Sequence, residues 1–252
     1  MRVSRIQQIE EYVLKHNTVS LKELCDKFKV SMSTIRRDVS ELERRGSIKK
    51  IYGGVSANSQ EFLVPFHARS NINRSAKQVV SDLAVQFVEE GDVIFIDTGS
   101  TTCYMVDGLS KFNNITVITN NIDVIIRAIP YPNIQLFSLP GMLNRKNNSF
   151  SPLGSEDIFH NYNITKAFLA AGGVSLEGHV TNNTPLETPV KQSAIERADQ
   201  KFLLVDSSKF DTSSLITFCK LTDLDKIITD KRPDDKYIRY CREHSIDLVF
   251  PE

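Results

Sequence analysis

Two stretches of the 252-residue chain set anion-binding side chains at regular spacing. The first is Asp97-Thr98-Gly99-Ser100-Thr101-Thr102, directly after the apolar run Val93-Ile94-Phe95-Ile96. Gly99 permits close backbone approach. Ser100, Thr101 and Thr102 place three hydroxyls at a predicted helix start, where free N–H groups attract a phosphate. Asp97 also suits a structural turn carboxylate. The Gly-Lys-Ser/Thr ending of a Walker loop is absent. The second stretch, from Ser31 to Arg45, is predicted as a helix. Ile35, Val39 and Leu42 recur at i, i+4 and i+7, with Ser33, Arg37, Ser40 and Arg44 opposite. Ser31 is placed to cap its first turn. Arg and hydroxyl side chains on one helix face pair with phosphates and base edges in a DNA groove.

Short elements must present that face. Arg2 to His16 is predicted helical, with Ile6, Ile9 and Val13 on one side, and Asn17-Thr18-Val19 breaks it. Ser20 opens a second helix with Glu23 three residues on, a capping-box pattern, and Val19 and Leu24 suit a hydrophobic staple. Lys29-Val30 makes the turn into the third helix. Two helices, a tight turn and a basic helix make a helix-turn-helix. Beyond it, Gly46 fits a C-cap, and Ile48 to Tyr52 with Gly53 to Val55 suits a hairpin wing exposing Lys49 and Lys50. Residues 1–56 carry 12 Lys/Arg against 7 Asp/Glu, whereas 57–252 carry 19 against 24, so zero net charge hides a basic module on an acidic body.

Residues 57–73 lack a clear period but include Phe62, Leu63 and Phe66, too apolar for a free tether, so an ordered crossing segment that packs on the body or on a partner subunit is expected. From Arg74, helical patterns alternate with β-rich runs at 93–96, 115–118, 134–139, 167–170, 201–205 and 226–228. Repeated βαβ units imply a mostly parallel α/β domain over 74–252. Ligands of such sheets bind beyond the carboxyl ends of the strands. Polar clusters fall there: Asp97 to Thr102, Thr119-Asn120-Asn121, Pro140-Gly141 to Arg145, Ala171-Gly172-Gly173 and Asp206-Ser207-Ser208-Lys209. Lys191 and Lys209 have the charge to balance a phosphate, although Glu187 and Lys191 at i, i+4 equally suit a helix-surface pair.

The four cysteines are scattered without metal-ligand spacing, which predicts free thiols in a reducing cytoplasm and no metal. No apolar run reaches the roughly 18 residues of a membrane span, no signal peptide opens the chain, and no cofactor is expected.

Residues 5–55 resemble the winged helix of DeoR-type bacterial transcription regulators. The resemblance rests on Arg5-Ile6, on Val30-Ser31-Met32-Ser33-Thr34-Ile35-Arg36-Arg37-Asp38, and on Ile51-Tyr52-Gly53-Gly54-Val55. It implies that Ser33, Thr34, Arg36 and Arg37 meet DNA. Asp38 lies nearer the core, where an arginine partner is expected. Asp97 to Thr102, Val117 to Asn120, Gly172-Gly173, Glu187 and Asp206 to Phe210 are similar to the effector domain of the same family. That implies a fold like ribose-5-phosphate isomerase and a phosphorylated-sugar effector. The sequence departs from the pattern at Pro140-Gly141, where a Gly-Gly pair is common, and at Thr165-Lys166, where many members have an aspartate.

An isomerase needs a positioned carboxylate base. The loop Ala170 to Val174 holds no acid, which leaves Glu187 as a lone candidate. Binding without turnover is therefore favoured over an isomerase-like enzyme with a DNA-binding appendage. An RNA-binding module would need an aromatic stacking surface, which is lacking. The sequence thus predicts a regulator of double-stranded operator DNA, a repressor relieved by a sugar phosphate. Paired half-sites would require a homo-oligomer, a dimer or tetramer.

Overall fold

A computed structural model describes residues 2–16, 18–44, 48–57, 66–154 and 158–251. Arg45, the Gly46 cap and the stretch from Asn58 to Pro65 lie outside the described residues. The chain divides into two compact units, Met1–Ile72 and Asn73–Glu252.

The first unit contains α1 (Arg2–His16), β1 (Thr18–Ser20), α2 (Leu21–Phe28), α3 (Met32–Arg44), β2 (Ile48–Ile51), β3 (Gly54–Ala57) and α4 (Phe66–Asn71). Ile6, Ile9, Val13, Leu24, Ile35, Val39 and Leu42 meet in one core with Val19, Ile48 and Val55. The Ser20 hydroxyl caps α2 by accepting from Glu23 N at 3.0 Å. The reciprocal half of the expected capping box is replaced: Tyr12 Oη donates to Glu23 Oε1 at 2.8 Å. Lys29 takes a left-handed turn conformation, φ 53°, between the helices. Ser31 Oγ accepts from Thr34 N at 3.3 Å at the start of α3.

Thr18 and Val19, expected only to break the first helix, form a strand with the capping Ser20, and the wing is a three-stranded sheet in the order β1-β3-β2. Val19 pairs with Val55 and both are buried, so this strand exists because of a partner far along the sequence. The close approach needs Gly54, where an added Cβ would lie 2.5 Å from the Val19 carbonyl oxygen. Gly54→Ala is expected to destabilise this unit by about 1–3 kcal/mol through overpacking; thermal unfolding checks it, and an unchanged midpoint would mean the strand shifts freely. The described end of the crossing segment is helical, with Phe66 and Ala68 buried, and belongs to the first unit.

In the second unit, α5 (Arg74–Val85) precedes β4 (Val93–Ile96), α6 (Met105–Leu109), β5 (Ile115–Thr119), α7 (Ile122–Ala128) and β6 (Ile134–Ser138). A hairpin of β7 (Met142–Asn144) and β8 (Ser149–Ser151) leads to β9 (Lys166–Ala170). Then come β10 (Gly173–Val174), β11 (His179–Asn182), α8 (Thr188–Arg197), β12 (Gln200–Leu204), β13 (Ile216–Lys220), β14 (Lys226–Ile228), α9 (Asp235–Glu243) and β15 (Asp247–Val249). Seven strands form one sheet in the order β15-β14-β12-β9-β4-β5-β6. Every pairing in it is parallel. The expected runs all lie in it, β15 joins them at one edge, and β10-β11-β13 make a separate small sheet. From β4 the chain first adds β5 and β6 on one side, then β9 on the other. The crevice at this reversal, beyond the ends of β4 and β9, is where parallel sheets hold ligands.

The helix predicted to start at Ser100 begins later. Thr102–Tyr104 is a 3-10 turn and only Met105–Leu109 is α-helical. Thr102 Oγ1 donates to the carbonyls of Asp97 (2.8 Å) and Gly99 (3.0 Å), which tightens the chain before the helix begins.

Candidate functional site

On the first unit, α3 buries Ile35, Asp38, Val39 and Leu42. Ser31, Ser33, Arg36, Arg37, Ser40 and Arg44 are exposed and Thr34 is half-buried. Asp38 is fully buried and accepts from Arg5 Nε at 2.8 Å, so this carboxylate pins α3 to α1 and faces away from the outer surface. The hydroxyls of Ser31, Ser33 and Thr34 share hydrogen bonds of 2.9 Å. Ser40 Oγ turns back to the Arg36 carbonyl at 2.8 Å. Arg44 grips Glu41 through two bonds of 2.8 and 2.7 Å, and Lys50 pairs with Glu43 at 2.6 Å. The Lys50 charge and its amide hold the Glu43 carboxyl below its usual range despite the opposing effect of desolvation. Among the described residues Arg36 and Arg37 have no carboxylate partner, so their charge is available to an outside polyanion. Half-exposed Lys49 lies on the wing, whose tip is the fully exposed Tyr52 beside Gly53, φ 75°.

In the second unit the Asp97 turn lies in the crevice between β4 and β9. Asp97 and Lys191 are 1% and 2% exposed and form an ion pair. Ala170 N donates to Asp97 Oδ2 at 3.0 Å, while Lys191 Nζ also donates to Ala170 O at 2.8 Å. Lys191 further sits 4.9 Å from the centroid of the Phe218 ring. Its charge is therefore matched within the fold. Glu187 instead accepts from Asn147 Nδ2, which also donates to Thr184 Oγ1 at 3.0 Å. Their i, i+4 spacing does not decide their partners.

Gly99 makes a close approach to protein: a Cβ there would lie 2.2 Å from Ala170 Cβ. Gly172 and Gly173 similarly abut Ser214 and Thr212, and Gly141, φ 154°, abuts the Ser151 backbone. Thr119 Oγ1 donates to the Ile96 carbonyl at 2.6 Å. Buried Asn120 donates to Phe150 O at 2.9 Å, and Asn121 Nδ2 to Asp97 O at 3.3 Å.

The cation nearest the hydroxyl turn is one that sequence reading passed over. Lys77, 4% exposed in the first turn of α5, donates from Nζ to Ser100 Oγ at 3.0 Å. Ser81, one turn on, donates to Thr101 O at 2.7 Å. Helical spacing puts Lys77 on the face of α5 that carries Val80, Ser81 and Ala84, which signals burial but not what the lysine meets. Asp206 lies within the field of Lys77. Burial alone would raise its pKa, but the Ser208 hydroxyl and amide, with Lys209 and Lys77, hold it below the usual range. Asn73 Nδ2 donates to Asp206 Oδ1 at 3.1 Å and joins α5 to this loop. Beside it opens a polar cavity of about 540 Å³, lined by Arg74, Ser75, Ser207, Ser208, Asp230 and Lys231 among others. That size suits a small ligand.

Three of the four thiols, Cys103, Cys219 and Cys241, are buried. Burial pushes Cys103 up to about 12 and Cys241 up to about 11, and raises Cys219 as well. All four cysteines are free. Among the described residues no cluster has metal-ligand character, and no helix is long and apolar enough to cross a membrane.

A three-stranded winged helix-turn-helix followed by a parallel α/β unit with polar groups in its crevice defines a two-part transcriptional regulator. Residues 5–61 match the DeoR-like helix-turn-helix domain, and residues 72–231 match the DeoR C terminal sensor domain. The chain belongs to the DeoR family of DNA-binding transcriptional regulators. It is 40% identical over 248 residues to the HTH-type transcriptional regulator IolR of Bacillus subtilis (strain 168), covering 98% of this chain and 99% of that protein. To the glycerol-3-phosphate regulon repressor of Escherichia coli (strain K12) it is 25% identical over 247 residues, covering 98% of each. Among solved structures, ribose 5-phosphate isomerase A from Methanocaldococcus jannaschii aligns with a TM-score of 0.41 at 23% identity over 55% of each chain.

Proposed function

We propose that this regulator is a repressor of carbohydrate-use genes and that a phosphorylated sugar releases it from its operator. Arg36 and Arg37 carry the DNA contact, flanked by Ser33, Thr34 and the wing lysine Lys49. Arg44 and Lys50 add less, because each must first leave a carboxylate. The phosphate is held where Lys77 meets Ser100, with Thr101 and the Asp206–Lys209 loop alongside. The observation carrying this assignment is the buried Lys77 ammonium on Ser100 Oγ at 3.0 Å, in a parallel sheet's ligand-binding end. The name of the Escherichia coli relative, the glycerol-3-phosphate regulon repressor, supports the repressing sense and a link to phosphorylated carbon compounds.

Calorimetric titration of three- to six-carbon sugar phosphates into the protein tests the site. Lys77→Met is expected to weaken the tightest of them by about 1.5–3 kcal/mol, the worth of a charge-assisted hydrogen bond, while leaving affinity for duplex DNA unchanged. Equal affinity for the ligand in both proteins would place the phosphate elsewhere.

A pseudo-palindromic operator requires paired modules, and we assign the pairing to the β6 edge of the sensor unit. Ile134-Gln135-Leu136-Phe137-Ser138 holds no charge, and Phe137, Met142 and Leu143 nearby are exposed. Natural edge strands are usually blunted by charge or proline. The opposite edge, β15, is three residues long and carries Asp247 paired with Lys226. Light scattering on Phe137→Lys protein is expected to show monomers where the parent is dimeric or larger; an unchanged mass would exclude this edge.

A further inference from the structure

Three buried side-chain oxygens at the carboxyl end of β5 have no hydrogen-bond partner: Asn120 Oδ1, Ser149 Oγ and Ser151 Oγ. Their residues are 1%, 0% and 2% exposed. They are also neighbours. Phe150 N donates to Asn120 O at 2.8 Å and Asn120 Nδ2 returns a bond to Phe150 O at 2.9 Å. Asn120 therefore lies opposite Phe150, the residue that Ser149 and Ser151 flank. Residues two apart on a strand share a face, and Ser149 and Ser151 are the buried face of β8 while Phe150 is half-exposed. Asn121 bridges to Ser149 and also donates to the Asp97 carbonyl, so the patch borders the Asp97–Thr102 turn.

A buried polar atom without a partner is destabilising, and native folds keep few of them. Three on two paired stretches, next to the Asp97–Thr102 turn, call for a partner that binds there. We propose that Asn120, Ser149 and Ser151 form the subsite for the hydroxyl groups of a small polyol, the uncharged part of the effector. This rests on the sugar-phosphate reading above and extends it to the other end of the ligand. An amide oxygen only accepts, so its partner must donate, whereas a serine hydroxyl does both. A sugar hydroxyl satisfies each of the three. None of these atoms is cationic, so the patch does not suit the phosphate itself.

The test is a thermal-shift titration of the full chain with inorganic phosphate, with glycerol 3-phosphate, ribose 5-phosphate and glucose 6-phosphate, and with free ribose and sorbitol. At least one sugar phosphate is expected to bind the parent more tightly than inorganic phosphate does. Ser149→Ala and Ser151→Ala should each weaken that sugar phosphate by about fivefold or more, the worth of one hydrogen bond. Inorganic phosphate should bind the variants as it binds the parent. Their ligand-free melting temperatures should stay level or rise, because no protein bond is lost. Unchanged sugar-phosphate affinity would overturn the proposal. So would a ligand-free melting temperature several degrees lower, which would mark the serines as structural groups satisfied by ordered water. If the parent responds to inorganic phosphate alone, the polyol subsite is wrong and the phosphate site stands. If only ribose or sorbitol binds, and the serine variants lose it, the subsite stands and the phosphate reading fails. No response to any compound overturns both.

Discussion

Arg37→Ala is expected to weaken binding to the specific duplex by about 1–3 kcal/mol, roughly 5- to 150-fold. The residue is exposed at the middle of α3, and among the described residues no carboxylate neutralises it. Arginine forks suit the O6 and N7 edge of guanine in the major groove. Loss of such a contact relaxes discrimination at one base position, whereas loss of a phosphate contact weakens all duplexes alike and lowers the salt slope by about one. Arg36→Ala, on the flank, is expected to behave in the second way. Anisotropy titrations against a duplex selected from a random pool, at several salt concentrations, separate the two. Wild-type affinity in Arg37→Ala would put Arg37 outside the interface.

The largest effect on stability is expected at Lys191. Lys191→Met leaves Asp97 charged, buried and without its ammonium, and removing one member of a buried pair costs about 3–5 kcal/mol. Asp97 keeps the Ala170 amide and the Thr98 hydroxyl, but two neutral donors do not replace a cation. The double change Asp97→Asn with Lys191→Met should recover much of the loss, because no buried charge then remains. Chemical denaturation of the full chain measures this. A single variant within about 0.5 kcal/mol of the parent, as for an ordinary surface change, would mean that solvent reaches the pair.

That pair shows where sequence reading runs out. The Asp97–Thr102 turn was legible because its hydroxyls and glycine are contiguous. Which of its groups face a ligand was not, because that depends on β9, α5 and α8, which arrive from elsewhere in the chain. Gly99 gives room for Ala170, Thr102 bonds its own backbone, and Lys191 reaches Asp97 across a separation of 94 residues. Lys77 escaped notice for the same reason: nothing near it in sequence announces that it meets Ser100.

The fold was more legible. Helices α1, α2 and α3 repeat apolar residues at helical spacing, and α2 and α3 carry recognisable caps. The central strands are unbroken apolar runs, as expected when both faces of a sheet are covered. Two short strands were not legible. Thr18–Ser20 and Gly173–Val174 have too few residues for a period, and both are strands through their partners, Gly54–Ser56 and Val180–Thr181. The exposed cations of α3 were evident from periodicity, but their availability was not. Only the structure separates Arg37 from Arg44, which Glu41 holds.

The switch itself is tested most directly by the affinity of one selected duplex for the full chain as sugar phosphates are titrated in. A ligand shifts this equilibrium only through unequal affinity for the DNA-competent and DNA-incompetent states. At least one sugar phosphate is expected to weaken DNA binding by a coupling of about 1–3 kcal/mol, with no such effect in Lys77→Met protein. A sugar phosphate that binds the protein tightly yet leaves the duplex affinity unmoved would contradict the account.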